Sequence, residues 1–153
     1  IPKVKDILDV VDRVLKTELP DHPVTLAVEP GRGIIATAAA MSSRLLLRTP
    51  RSDGEWLHLD VGIYHGLNEA LDRIVYPITV AHRTGAETAY TLCGPTCDSA
   101  DTISKGQKLP GSVKEGDLFV FDMVGAYCEC LFTRFNGIKP PLVHFLDDLV
   151  HTS

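Results

Sequence analysis

The stretch CGPTCDSAD, from Cys93 to Asp101, sets two thiols around a Gly-Pro-Thr turn and places two carboxylates behind the second thiol. This is not the Cys-x-x-Cys spacing of a zinc knuckle or a thioredoxin-type site. The chemistry on offer is a positioned thiol, Cys97, beside a charged group, Asp98, with Asp101 close behind. A second group, EPGR (Glu29 to Arg32), joins an acid, a rigid turn and an arginine. Arginine and exposed glycine N–H groups suit a phosphate, and a glutamate can meet a protonated ring nitrogen. A third stretch, GAYCECLFTRFNG, offers Tyr127 and Phe135 near strand ends. Each has a plainer reading when taken singly: a core cysteine, a structural turn with a salt bridge, two core aromatics. The six histidines are scattered without ligand spacing, so no metal is assigned.

Elements must hold these groups in place. VKDILDVVDRVL sets Val4, Ile7, Leu8, Val11, Val14 and Leu15 at helical spacing, with Asp6, Asp9, Asp12 and Arg13 largely opposite. PDHP ends that helix, and VTLAV then has the length and β-branched ends of a buried strand leading into EPGRG. Helix, strand and turn make one unit of an α/β structure, in which strand ends carry chemistry. From about residue 35 the character changes. Short β-rich runs such as MSSRLLLRTP, WLHLDVGIY, AETAYTLCG and DLFVFDMVGAYCECLF are separated by SDG, CGPT, LPG, FNG and KPP. Antiparallel strands at this spacing predict a barrel or sandwich, interrupted by a helical turn in GLNEALDRI.

With 153 residues, 44% hydrophobic and 23% charged, the chain has the composition of a globular protein with a sizeable core. A net charge of −5 argues against a nucleic-acid or anionic-membrane surface. No apolar run approaches the ~20 residues that span a bilayer. The charged start cannot be a signal peptide, and with Ile1 rather than Met as first residue a fragment or a processed product is expected. Cys128 and Cys130, read as a Cys-x-Cys strand, are not expected to bridge. Reduced thiols and a cytoplasmic protein are expected.

Read in order, EPGR, GPTCDSAD, EGDLFVFDMVGAY and FNG resemble the C-terminal half of the pyridoxal-phosphate-dependent ornithine/lysine decarboxylases, over nearly the whole chain. The resemblance implies a mainly β fold: the C-terminal β-barrel domain of a fold type III (alanine racemase-like) decarboxylase in residues 35–153. Residues 1–34 would be the last helix and strand of the cofactor-binding (β/α)8 barrel. It implies pyridoxal 5'-phosphate as cofactor and a head-to-tail homodimer with shared active sites. Glu29 would pair with the pyridine nitrogen, where a protonated ring is the electron sink for decarboxylation. Gly31 and Arg32 would hold the phosphate, helped by Tyr127. Cys97 would control protonation after carbon dioxide leaves, and Asp98 would meet the distal ammonium of the substrate, with Asp72 as a second carboxylate. Asp101 would make an intersubunit ion pair, and Phe135 would sit near the active-site interface. Cys93 has no family role.

The family's Schiff-base lysine belongs to the N-terminal barrel, and none of the lysines of this chain stands in that context. Catalytic silence of the isolated chain is therefore expected. The complete enzyme is expected to convert ornithine or lysine to putrescine or cadaverine in polyamine biosynthesis. Diaminopimelate decarboxylase shares the architecture but carries CES where this chain has CDS, and arginine decarboxylation is a further alternative. A non-catalytic regulator resembling the antizyme inhibitors is disfavoured by Cys97, Asp98, Glu29 and Arg32.

Overall fold

The computed structural model describes residues 3–21 and 25–147. They divide into two compact units, 1–34 and 35–153. In the first, helix α1 spans Val4–Glu18. It starts with the Lys3 amide donating to Asp6 (3.3 Å) and carries two i,i+4 ion pairs, Lys5–Asp9 and Lys16–Asp12. Its apolar face is formed as the periodicity requires, yet Val4, Ile7, Leu8 and Val14 stay 43–50% exposed. The strand expected at VTLAV is not formed at residues 25–28, and Val24 lies outside the described residues. A strand is defined by the neighbours that accept its hydrogen bonds, and no ladder is offered to these residues. A turn at Pro30–Gly31 follows and leads into one helical turn, α2, at Arg32–Ile35.

The second unit is a mostly β, nearly closed, barrel-like sheet. Its strands are β1 (Met41–Arg51), β2 (Gly54–Leu59), β3 (Ile78–Val80), β4 (Glu87–Cys93), β5 (Thr102–Pro110) and β6 (Leu118–Phe121). The sheet order is β3-β6-β1-β2-β4-β5, and the two outer strands approach each other. β1 is the shared element. Its first residues pair with β6 (Met41 with Phe121), and after a bulge at Leu46 the rest pairs with β2. The β1–β2 hairpin closes through Ser52–Asp53, with Gly54 at φ 125°. Asp60 fastens the turn after β2 back to β1, accepting from Ser43 Oγ (2.7 Å) and Arg44 N (2.8 Å).

The expectation of antiparallel strands needs one correction: β2 and β4 pair in parallel, Glu55 with Tyr90 through His58 with Cys93. The chain must cross over between them, and this crossover, residues 60–86, carries Tyr64 and His65. The strand read into DLFVFDMVGAYCECLF is also shorter than expected, ending at Phe121; Glu129–Leu131 form a 3-10 turn. PLVHFL adds no strand. GLNEALDRI supplies the expected helical turn at Asn68–Asp72.

Alternation decides the core. Leu45, Leu57, Leu59, Tyr90, Leu92, Leu109, Phe119 and Phe121 point inward and are at most 2% exposed. Gly125 closes the packing between the last strand and the start of the unit, because a Cβ there would stand 2.0 Å from the Ile35 carbonyl oxygen.

Candidate active site

The CGPTCDSAD stretch leaves the end of β4 and turns back into β5, so the sheet fixes both of its ends. Gly94 N donates to Asp101 O (2.8 Å) and Asp101 N to Asp98 O (3.0 Å), closing the loop on itself. Asp98 accepts from Ala100 N (2.9 Å) and from the Tyr64 hydroxyl (2.5 Å). Those two donors hold its carboxyl below the usual aspartate range, the Tyr64 bond first. The same bond, with burial behind it, pushes the Tyr64 phenol up.

Tyr64 is anchored from the other side. Its ring stacks on Phe135 with centroids 4.3 Å apart, and its carbonyl accepts from Thr133 N and Thr133 Oγ1, both at 3.0 Å. The next residue, Asn136, has φ 55° and sends its amide to Cys97 Sγ (3.4 Å). Cys97, Asp98, Tyr64, Phe135 and Asn136 thus form one cluster assembled from three loops.

Of the residues singled out by sequence, the structure brings together Cys97, Asp98 and Phe135. Tyr127 is 53% exposed in a left-handed conformation at φ 62°. Asp72 ends the 3-10 turn and is exposed; among the described residues no hydrogen bond or ion pair joins it to Asp98. Asp101, expected in an intersubunit ion pair, is bonded within this chain. It is 1% exposed, and both carboxylate oxygens are engaged within this chain, by Ile63 N (2.7 Å), Thr96 N (3.0 Å) and Thr96 Oγ1 (2.7 Å). Glu29 and Gly31 are exposed in the first unit; Gly31, at φ 44°, makes the sharp turn, and Arg32 begins α2.

Tyr64 and Asn136 were missed by sequence reasoning. Asn136 sits in FNG, where its only local signal is a small polar residue before glycine. All four cysteines are free, Cys93 and Cys128 buried and Cys97 and Cys130 exposed. Burial pushes the Cys93 thiol up to about 11, and it contacts His58 Nδ1 at 3.2 Å. A cavity of about 650 Å3 lies beside Asp60, Gly125, Cys128 and Lys139, and neither Cys97 nor Asp98 lines it. Among the described residues no cluster could hold a metal ion, and no helix is long and apolar enough to cross a membrane.

Residues 10–125 match the C-terminal sheet domain of the pyridoxal-dependent decarboxylases. The chain belongs to this family. It is 30% identical over 147 residues to a diaminopimelate decarboxylase of Staphylococcus aureus, covering 95% of this chain and 35% of that protein. With the ornithine decarboxylase of Schizosaccharomyces pombe it shares 26% over 154 residues, covering 92% and 35%. The lysine/ornithine decarboxylase of Vibrio vulnificus, solved with cadaverine, superposes with a TM-score of 0.72 at 32% identity, over 87% of this chain and 37% of that one. The chain therefore spans about a third of the length of these relatives. Pyridoxal-dependent decarboxylases need partners for a pyridinium N–H and a phosphate. In the first unit a carboxylate (Glu29), a glycine at φ 44° (Gly31) and a guanidinium (Arg32) follow one another in one turn, and these donor types fit such a group.

Proposed function

We propose that this chain is the C-terminal portion of a pyridoxal-phosphate-dependent decarboxylase acting on ornithine or lysine and releasing putrescine or cadaverine for polyamine synthesis. Residues 1–34 are read as the end of the cofactor-binding barrel and 35–153 as the sheet domain that completes the site. The observation that carries the reading is the cluster in which Tyr64 holds Asp98 while Asn136 holds Cys97. It keeps a thiol and a carboxylate side by side yet separately anchored, as a substrate with one reacting carbon and one distant ammonium requires.

Bound cofactor supplies the electron sink for loss of carbon dioxide. The residues of this chain do the rest. Glu29 would stand as the counter-charge to the protonated ring nitrogen. Gly31 and Arg32 would hold the phosphate, a role the family resemblance gives to Tyr127 as well. Cys97 Sγ holds the proton that is delivered to the reacting carbon. Asp98 orients the substrate by its far amine, with Asp72 as a second acid. Cys97 and Asp98 stand at the surface of this chain, which supports a site completed by a second copy, with Phe135 at that junction. The free thiols support a cytoplasmic setting. The Cys-Asp-Ser order at Cys97, where diaminopimelate decarboxylases carry Cys-Glu-Ser, supports a substrate ending in an amine.

The test is product analysis in the complete enzyme. Cys97→Ala should slow diamine formation sharply and divert part of the turnover into products of aberrant protonation. Diamine production at the normal rate and partition would end the assignment. The 153-residue chain alone, mixed with equimolar pyridoxal phosphate and reduced with borohydride, should show scattered, substoichiometric lysine labelling. One lysine modified to completion would place the covalent anchor in this chain.

A further inference from the structure

Asp101, at 1% exposure, is the one acid that is buried among the described residues. Its slot is cut to size. A Cβ on Gly62 would stand 2.1 Å from Asp101 Oδ1, and one on Gly94 would stand 2.3 Å from the same atom. Two glycines from different loops therefore face one carboxylate, and no side chain fits at either.

The bonds made there are directional. Oδ1 accepts from Ile63 N, the residue before Tyr64, and Oδ2 accepts from the Thr96 amide and hydroxyl, the residue before Cys97. The Asp101 amide donates to the carbonyl of Asp98, the residue after Cys97. Cys97 is thus flanked by two anchors that both end on Asp101, and Tyr64 is one residue from a third. We propose that Asp101 is a positioning residue that locks the Gly94–Asp98 loop to the Gly62–Tyr64 loop, setting where Cys97 and Asp98 stand relative to Tyr64. The inference deepens the functional reading above and rests on it for its catalytic consequence.

Only a carboxylate serves in this slot. Asparagine has the same shape, but its NH2 must face either Ile63 N–H or Thr96 N–H, donor against donor, whichever way the amide is turned. Glutamate is a methylene too long for a space bounded by two glycine backbones.

The test compares Asp101→Asn and the milder Thr96→Val with wild type in the complete enzyme, well below the melting temperature. Hydrogen exchange read on peptides covering residues 60–66 and 94–101 should rise together in Asp101→Asn while β1 and β6 stay protected. Thr96→Val, losing one of the donors, should give a smaller rise in the same two peptides, and it decides the matter if Asp101→Asn does not fold. The preference for ornithine over its uncharged analogue norvaline, as a ratio of kcat/KM, should fall about tenfold or more in Asp101→Asn, with cofactor content unchanged. Exchange that rises everywhere, or in neither loop, overturns the proposal, as does a lowered melting temperature with the preference intact. An unchanged preference in Asp98→Asn would instead remove the functional reading, leaving the exchange result to decide the role of Asp101.

Discussion

The amide of Asn136 donates to the sulfur of Cys97 across 3.4 Å, linking two loops far apart in sequence. Asn136 occupies a left-handed conformation at φ 55°, which asparagine tolerates better than most residues. The sulfur therefore has a fixed bearing. In the complete enzyme, Asn136→Ala should leave Cys97 in place but free to rotate, producing part of the product misrouting of Cys97→Ala. Product ratios by mass spectrometry check this; a normal ratio would show that the bond does not orient the thiol.

Tyr64 and Asp98 should separate binding from stability. Tyr64→Phe keeps the stack on Phe135 and removes only the hydroxyl bond to Asp98. Binding of the distal amine should weaken several-fold, seen as a higher KM with kcat less affected. Asp98→Asn should cost on the order of tenfold to a hundredfold in kcat/KM for the diamino acid.

Acid should destabilise the sheet domain through its histidines. His65 is fully buried and neither ring nitrogen has a partner among the described residues; burial holds its pKa below the usual value, and burial and then Arg51 do the same for His58. A depressed histidine takes up protons more readily when unfolded, so stability rises with pH through this range and is lost as pH falls below about 6.5. Urea midpoints between pH 7.5 and 5.5 should decline, and His65→Phe should flatten that slope.

Gly125→Ala should be among the most damaging single changes outside the site. Its Cβ meets the Ile35 and Ala36 carbonyl oxygens at 2.0 and 3.0 Å, both backbone atoms that cannot swing aside. A loss of about 3 kcal/mol or more is expected from such overpacking, measurable as a fall in the urea midpoint at pH 7.5.

The legible parts of the sequence were those governed by local rules. Helix α1 follows from the spacing of Val4, Ile7, Leu8, Val11 and Val14, and the β1–β2 hairpin from Ser-Asp-Gly. Strand pairing is set by distant partners, so the parallel match of β2 with β4 left no mark on either segment, and residues 25–28 had a strand's composition without a ladder to join among the described residues. At the site, Cys97, Asp98 and Phe135 were marked by the types and order of their neighbours. Tyr64 was hidden in an apolar run, where an aromatic residue reads as core. The burial of Asp101 left no mark, because an acid in a polar loop reads as exposed; the two glycines that enclose it lie 32 positions apart, at 62 and 94.

The order in which β1 finds its partners bears on how the protein is made. β1 can zip to β2 as soon as both have left the ribosome, but its first four residues must wait for β6, since Met41 pairs with Phe121. Until then Met41 to Arg44 present a half-finished edge, and Asn136, which will hold the Cys97 sulfur, has not yet emerged. Such long-range closure places folding in the slower, millisecond-to-second regime of β proteins. During synthesis the thiol is thus exposed before it is aimed, and the nascent domain is at its most vulnerable to oxidation and to mispairing with a neighbour in that interval.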